Sequence, residues 1–129
     1  MSGDPWFDYA SEDIKAGEIL YAQGLYRLAS FHAQQAVEKA LKGLLWRLHI
    51  NPPRVHDLVI LYHKVRKYYP DVRLSVDELE ILSSIYLESR YPADLGLLPK
   101  GEPTELDARK ILEIARGILR EIWKALQPE

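Results

Sequence analysis

Arg90 and Tyr91 are adjacent side chains whose types suit recognition of a phosphorylated ligand. A guanidinium is a planar fork of donors that binds phosphate through two parallel hydrogen bonds, and a tyrosine ring offers a face on which a base stacks. Each residue also has a structural interpretation. Arg90 could neutralise carbonyl groups at the end of a helix, and Tyr91 could pack beneath a loop. The pair is therefore a candidate phosphate or nucleotide contact.

Two histidines are candidate catalytic residues, because imidazole exchanges protons near neutral pH. His56 directly precedes Asp57, a carboxylate that could orient the imidazole or could instead cap a helix. His32 follows Arg27 on one predicted helix. Over the five residues from Arg27 to His32 an α-helix rotates by about 500°, so the two side chains point roughly 140° apart around the helix axis. His32 and His56 both remain candidates, although a catalytic pair of Arg27 with His32 is disfavoured.

Several other polar residues are candidate ligand-binding residues. Gln34, Gln35 and Glu38 could line a nucleotide site or a dimer interface, or they could form an ordinary solvated helix face. Glu38 and Lys42 form an acid-to-base pair with helical spacing, which we expect on that solvated face. Asp13 falls among apolar positions of the preceding helix, where an unpaired carboxylate is costly. We therefore expect Asp13 to have a partner on the next helix or to face a cleft.

Metal and cofactor chemistry find no support in the residue pattern. The chain has no cysteine, and neither His49 nor His63 has metal-ligand spacing with another histidine or acid. The sequence contains no phosphate loop, dinucleotide fingerprint or nucleophile elbow. We expect no metal site and no cofactor.

The composition is that of one ordinary globular domain spanning residues 1–129. The chain is 47% hydrophobic and 28% charged, and its net charge is −2 with an isoelectric point near 6.1. This balance excludes the broad positive field that drives sequence-independent nucleic-acid binding. Any contact with RNA must therefore be local.

The sequence carries no signal for a membrane or for secretion. It contains no apolar run near the roughly 18 residues that a membrane span needs, and an acid rather than a basic segment lies near the N-terminus. We expect a cytoplasmic protein without membrane contact. One asparagine, one methionine and no cysteine fit the depletion of thermolabile residues in thermophiles.

Five stretches show the 3.6-residue apolar spacing of amphipathic helices. Their predicted ranges are 6–21, 25–48, 57–69, 76–89 and 105–126. Pro5 and Asp4 mark the first start, Ser75 and Thr104 are predicted caps, and Pro70 ends the third helix. Residues 93–103 lack a sustained period and are predicted to form a loop. The helices and short joints predict an all-α, antiparallel bundle.

Four segments, in this order along the chain, resemble the HEPN family (higher eukaryotes and prokaryotes nucleotide-binding domain). They are residues 10–14, 31–42, 56–58 and 89–92, and the most specific is the run Ala-Gln-Gln-Ala-x-Glu-Lys-Ala-Leu-Lys at 33–42. The resemblance covers about residues 6–126. It implies an up-and-down four-helix bundle with a short extra helix, usually a homodimer with a cleft near the dimer interface. It also implies a partner, a minimal nucleotidyltransferase that acts as antitoxin of a toxin–antitoxin module.

Active HEPN toxins are metal-independent ribonucleases, and their motif carries over to this chain only in part. The motif is an arginine followed after four to six residues by a histidine. Arg90 matches the arginine, but the corresponding later positions are Leu95, Gly96 and Leu97. The general base is therefore missing where the family places it.

Three functions follow from these observations. The leading hypothesis is a homodimeric HEPN protein that binds a nucleotide or RNA phosphate and pairs with a minimal nucleotidyltransferase. The dimer is also suggested by Trp46 and Trp123, which lie near the polar edges of their apolar stripes. The second hypothesis is a metal-independent RNA endonuclease in which Arg90 is catalytic and His32 or His56 replaces the missing histidine. The third is a non-catalytic helical assembly subunit.

Overall fold

Five helices form the part of the chain that the structure, a computed structural model, describes: residues 4–88 and 102–127, with side chains through residue 85 in the first segment. They are α1 (Pro5–Ala22), α2 (Tyr26–Trp46), α3 (Leu58–Arg66), α4 (Val76–Glu88) and α5 (Glu105–Ala125). These two segments contain no β-strand. The predicted all-α class is confirmed, with four longer helices and the short α3 as the extra one.

The helix starts follow local sequence signals. Asp4, Asp57 and Thr104 lie just before α1, α3 and α5, and each side-chain oxygen accepts a hydrogen bond from a backbone N–H of the first turn. The Oγ of Ser75 accepts from the backbone N–H of Glu78 at 3.2 Å before α4. These caps satisfy N–H groups that have no partner within their own helix, so the predicted starts are confirmed.

The end of α3 differs from the prediction. The helix ends at Arg66, and Tyr68, which lies within the predicted range, is 49% exposed. The backbone tightens there, because the N–H of Tyr68 donates to the carbonyl of Val65 three residues earlier. Pro70 then restricts the backbone of the residue before it, so the helix cannot be extended to the predicted boundary.

Helices α1 and α2 form an antiparallel hairpin. The turn between them includes Gly24, whose φ of +79° lies in the left-handed region that glycine adopts without strain. Small residues allow a close approach, since a Cβ added at Gly17 would lie 3.1 Å from the carbonyl oxygen of Ala29. The face of α1 that packs on α2 includes Phe7 and Ala10, whereas Tyr9 is 51% exposed.

Helix α2 is the central element of the bundle, because it contacts each of the other four helices. Its buried residues therefore surround most of its circumference rather than one stripe. Helix α5 has a single apolar stripe, and its buried residues are Ala108, Ile111, Leu112, Ala115, Ile118, Leu119 and Ile122. A helix in the middle of a bundle must also bury its polar residues, and this determines the environment of the candidate site.

Phe7 joins three helices at one end of the bundle. A Cβ at Gly43 would lie 2.6 Å from the Phe7 ring, so the absence of a side chain on α2 makes room for that ring. Trp123 of α5 meets the same ring edge-on at 5.5 Å between centroids. Trp123 is therefore packed within the protein, whereas Trp46 is 45% exposed, and only Trp46 supports the expected dimer surface.

Candidate functional site

Three polar side chains spaced four residues apart lie buried along α2. Gln34 is 0%, Glu38 is 3% and Lys42 is 7% exposed. The expectation that Glu38 and Lys42 pair on a solvated face is therefore wrong, although the pair itself forms at 3.1 Å. Burial follows from the central position of α2, since neighbouring elements cover its polar side as well as its apolar side.

Glu38 is the centre of this polar group. Its carboxylate accepts from the Nε2 of Gln34 at 3.2 Å and from the Nζ of Lys42 at 3.1 Å. The Nδ1 of His56 lies 3.0 and 3.1 Å from the two carboxylate oxygens. Gln35 donates to the Oε1 of Gln34 at 2.8 Å and extends the network. We call these five residues the Glu38 cluster.

His56 is oriented by Glu38 and not by its neighbour in sequence. The side chain of Asp57 accepts from the backbone N–H groups at the start of α3, so it has the capping role that the sequence left open. The orienting carboxylate lies eighteen residues earlier, on α2. The His56 side chain is 47% exposed, whereas that of Glu38 is only 5% exposed. The imidazole therefore connects a buried carboxylate to the protein surface.

A second carboxylate network joins α1 to α2. Asp13 is 8% exposed, and it accepts from the Nδ1 of His32 at 2.8 Å and from the Nζ of Lys39 at 2.5 Å. The structure thus provides the partners on α2 that Asp13 was expected to need. We call these three residues the Asp13 cluster. Arg27 lies instead with its Nε 3.9 Å from the carboxylate of Glu102, so His32 is oriented by Asp13 and not by Arg27.

The lysines of the two clusters also contact aromatic rings of α1. The Nζ of Lys39 lies 5.9 Å from the ring centroid of Tyr9, and that of Lys42 lies 5.8 Å from that of Trp6. Both lysines therefore lie where α2 contacts α1. The sequence indicated the pair of Glu38 with Lys42, whose spacing lies within one helix, but no pattern within one helix indicates that Lys39 pairs with Asp13 of α1.

Arg90 and Tyr91 lie outside the described residues, as do Leu95, Gly96 and Leu97 and most of the predicted loop at 93–103. One described contact concerns the helix that precedes them. The backbone N–H of Leu58 donates to the Oγ of Ser83 at 2.8 Å, which ties the start of α3 to α4. His56 lies two residues before this tie in sequence.

Two tyrosines outside the clusters have altered acidity. The hydrogen bond from the Tyr21 hydroxyl to Glu105 raises the pKa of Tyr21. Burial raises the pKa of Tyr69, whose hydroxyl donates to the carbonyl of Leu44 at 3.1 Å. Both side chains are therefore neutral donors at neutral pH and serve as structural ties.

Residues 4–88 and 102–127 contain no group of three or more metal-ligating side chains that could hold an ion. Within the described part of the chain, no helix is both long and apolar enough to span a bilayer. In the described residues, two carboxylates each contact one imidazole and one lysine.

Comparisons with known proteins give the family. The sequence profile described as HEPN domain matches residues 4–125. A candidate toxin of Methanocaldococcus jannaschii, MJ1304, is 30% identical over 123 residues, covering 88% of this chain and 80% of that protein. The crystal structure of TT1696 from Thermus thermophilus has a TM-score of 0.78 at 27% identity, covering 93% of this chain and 94% of that one. That of ST0689, an archaeal HEPN homologue, has a TM-score of 0.70 at 27% identity and covers 95% of both. Profile, relative and folds agree with the four sequence segments, and the chain belongs to the HEPN domain family.

Proposed function

We propose that this chain is a toxin-type HEPN module that binds the phosphate of a nucleotide or of RNA. The observation that carries the proposal is the Glu38 cluster, in which the buried pair of Glu38 and Lys42 contacts the partly exposed imidazole of His56. A buried ion pair is a poor way to stabilise a bundle, because the cost of removing both charges from water offsets their attraction. Its presence beside an exposed imidazole favours a functional site. The relationship to a candidate toxin supports the same proposal.

In this proposal, Arg90 is the main phosphate ligand. Lys39 and Lys42 each pair with a carboxylate, so their charges are largely neutralised within the two clusters. The positive charge for a phosphate must then come from elsewhere, and Arg90 matches the arginine of the family motif. Tyr91 is proposed to stack on the base, and Gln35 and His56 to supply further polar contacts.

Substitution of Arg90 tests this site. We expect Arg90→Ala to weaken binding of a labelled RNA or of ATP about 10- to 100-fold, the range for a lost charge-assisted hydrogen bond. Arg90→Lys should recover only part of the affinity, because an ammonium cannot form two parallel hydrogen bonds. Thermal unfolding should be nearly unchanged. Arg109→Ala, at an exposed arginine of α5, is the matched control. Wild-type affinity in Arg90→Ala would contradict the proposal.

The proposed assembly is a cytoplasmic homodimer with a minimal nucleotidyltransferase as partner. The exposed Trp46 and Leu48 at the end of α2 support a self-association surface, because large apolar side chains in water favour burial. Light scattering at micromolar concentration should give twice the chain mass. Coexpression with a minimal nucleotidyltransferase encoded in an adjacent gene should give a stable complex on gel filtration. A clean monomer and no complex would rule out the assembly.

A second candidate function is metal-independent RNA cleavage. It is favoured by His56, which is oriented by a carboxylate and whose segment is tied to α4, the helix that leads to Arg90 in sequence. Purified protein should then cleave RNA in the presence of a chelator. Binding without cleavage favours the first function. A protein that neither binds nor cleaves would be an assembly subunit.

A further inference from the structure

We infer that Glu38 is a positioning residue that holds His56 with its hydrogen on Nδ1, so that Nε2 is the proton acceptor for a 2′-hydroxyl of RNA. This inference rests on the second proposed function, RNA cleavage. It assigns the task of the missing family histidine to a residue on a different part of the chain. The substrate remains that of the second proposed function, an RNA strand with a free 2′-hydroxyl beside the scissile phosphate.

The tautomer follows from the contacts of Glu38. Its carboxylate receives donors from Gln34 and Lys42, one on each oxygen, and the Nδ1 of His56 approaches both oxygens. A carboxylate in this environment acts only as an acceptor. The shared hydrogen must therefore lie on Nδ1, and in the neutral ring the lone pair lies on Nε2. Free histidine in water favours the opposite tautomer, so the protein imposes this one.

The rigidity of the surroundings makes the orientation specific. Glu38 lies on the central helix and is held from positions four residues before and four residues after it. On the other side, the backbone of His56 leads into the cap at Asp57 and then into the Leu58–Ser83 tie. Glu38 is thus fixed within a helix, and His56 lies two residues before the start of another, an arrangement that favours a preorganised base.

The chemical step balances without a metal. The 2′-hydroxyl gives its proton to Nε2 of His56 as the 2′-oxygen forms a bond to the adjacent phosphorus. The bond from phosphorus to the 5′-oxygen breaks, and the leaving 5′-oxygen takes a proton from water. The imidazolium of His56 returns its proton to the hydroxide that remains, which restores the neutral ring. The products are a 2′,3′-cyclic phosphate and a 5′-hydroxyl end. Glu38 remains a carboxylate throughout and stabilises the imidazolium that forms.

The first test is the tautomer itself, read from nitrogen chemical shifts of the four histidines in wild-type protein above their titration range. We expect His56 in the form with hydrogen on Nδ1. Exposed His63 is an internal reference, because its ring stacks on Tyr62, a contact that involves no carboxylate. In Glu38→Leu combined with Lys42→Met, which removes both charges and leaves no orphan ion, His56 should lose this preference. Hydrogen on Nε2 in the wild type would overturn the inference.

The second test is single-turnover cleavage of RNA in chelator. His56→Ala should lower the rate about 100-fold or more, the range for loss of a general base. The Glu38→Leu/Lys42→Met variant should lower it at least about 10-fold with little change in RNA affinity, whereas His63→Ala should cleave at the wild-type rate. A substrate with a 2′-deoxyribose at the scissile position should not be cleaved.

The outcomes separate the inference from the function on which it rests. If wild type cleaves RNA and His56→Ala cleaves equally well, the inference is overturned while the ribonuclease proposal stands. If wild type cleaves no RNA, the ribonuclease proposal fails and the base role of His56 fails with it, even when the tautomer is as expected. Loss of cleavage in both variants, with the expected tautomer, supports the inference.

Discussion

The Glu38 and Asp13 clusters contain the same three chemical groups in different surroundings. In each, one carboxylate lies between a lysine and a histidine. The lysine of the Glu38 cluster, Lys42, has a side chain only 9% exposed, whereas the side chains of Lys39 and His32 are 27% and 31% exposed. Because the two networks have the same kinds of partner, we expect this difference in the burial of their lysines to make the fold depend more strongly on the Glu38 cluster.

The largest effect is expected at Glu38. We predict that Glu38→Ala lowers the free energy of unfolding by about 3 to 5 kcal/mol, because it leaves Lys42 buried without a counter-charge. Urea denaturation at neutral pH measures this loss. Leu41→Ala, which opens a cavity in the core on the same helix, should cost about 2 to 5 kcal/mol and calibrates the scale. A loss below about 1 kcal/mol at Glu38 would mean that water reaches the pair.

A smaller effect is expected at Gln34. An ordinary solvated helix face, one of the alternatives for Gln34, would imply a much smaller cost than a core leucine, but the side chain is fully buried and connects Gln35 to Glu38. We predict that Gln34→Ala costs about 1 to 3 kcal/mol, the penalty for leaving buried polar groups unsatisfied. Urea denaturation at neutral pH measures this cost. An effect indistinguishable from zero would show that the network rearranges around the substitution.

The Asp13 cluster should be less sensitive. We predict that Asp13→Ala costs about 1 to 2 kcal/mol, because Lys39 and His32 are partly exposed and water can solvate them after the carboxylate is removed. The ratio of the losses in unfolding free energy at Asp13 and Glu38 measures the energetic effect of their different surroundings. Equal losses at the two carboxylates would show that the difference in burial has no energetic consequence.

The smallest effect is expected outside both clusters. Lys124 pairs with Glu121 on α5 at 3.2 Å, but the Lys124 side chain is 74% exposed. We predict that Lys124→Ala changes the free energy of unfolding by less than about 0.5 kcal/mol. This variant gives the change in unfolding free energy for a solvated ion pair. A larger change would mean that the losses at Glu38 and Asp13 cannot be attributed to burial.

Local features of the fold could be predicted from the sequence, and features that depend on tertiary packing could not. The caps at Asp4, Asp57 and Thr104 act within one turn of their helices, so the sequence specifies them directly. The burial of Glu38 and Lys42 depends on which elements cover α2, and a single helix pattern does not contain that information.

The candidate site divides in the same way. The need of Asp13 for a partner could be predicted from its apolar surroundings, because the cost of an unpaired buried carboxylate is general. The partner of His56 could not, since Glu38 is distant in sequence while Asp57 is adjacent. The roles proposed for Arg90 and Tyr91 still rest on residue type and on the family motif.

The hairpin of α1 and α2 also has a consequence for the order of folding. Its two helices pack along their lengths and are close in sequence, so forming their contacts closes only a short loop, which costs little chain entropy. The Asp13 cluster lies wholly within this hairpin, whereas the Glu38 cluster is incomplete until His56 arrives with the segment before α3. A nascent hairpin would therefore hold one network complete while the other still lacks its imidazole, so that the candidate catalytic group is added to a scaffold that already exists.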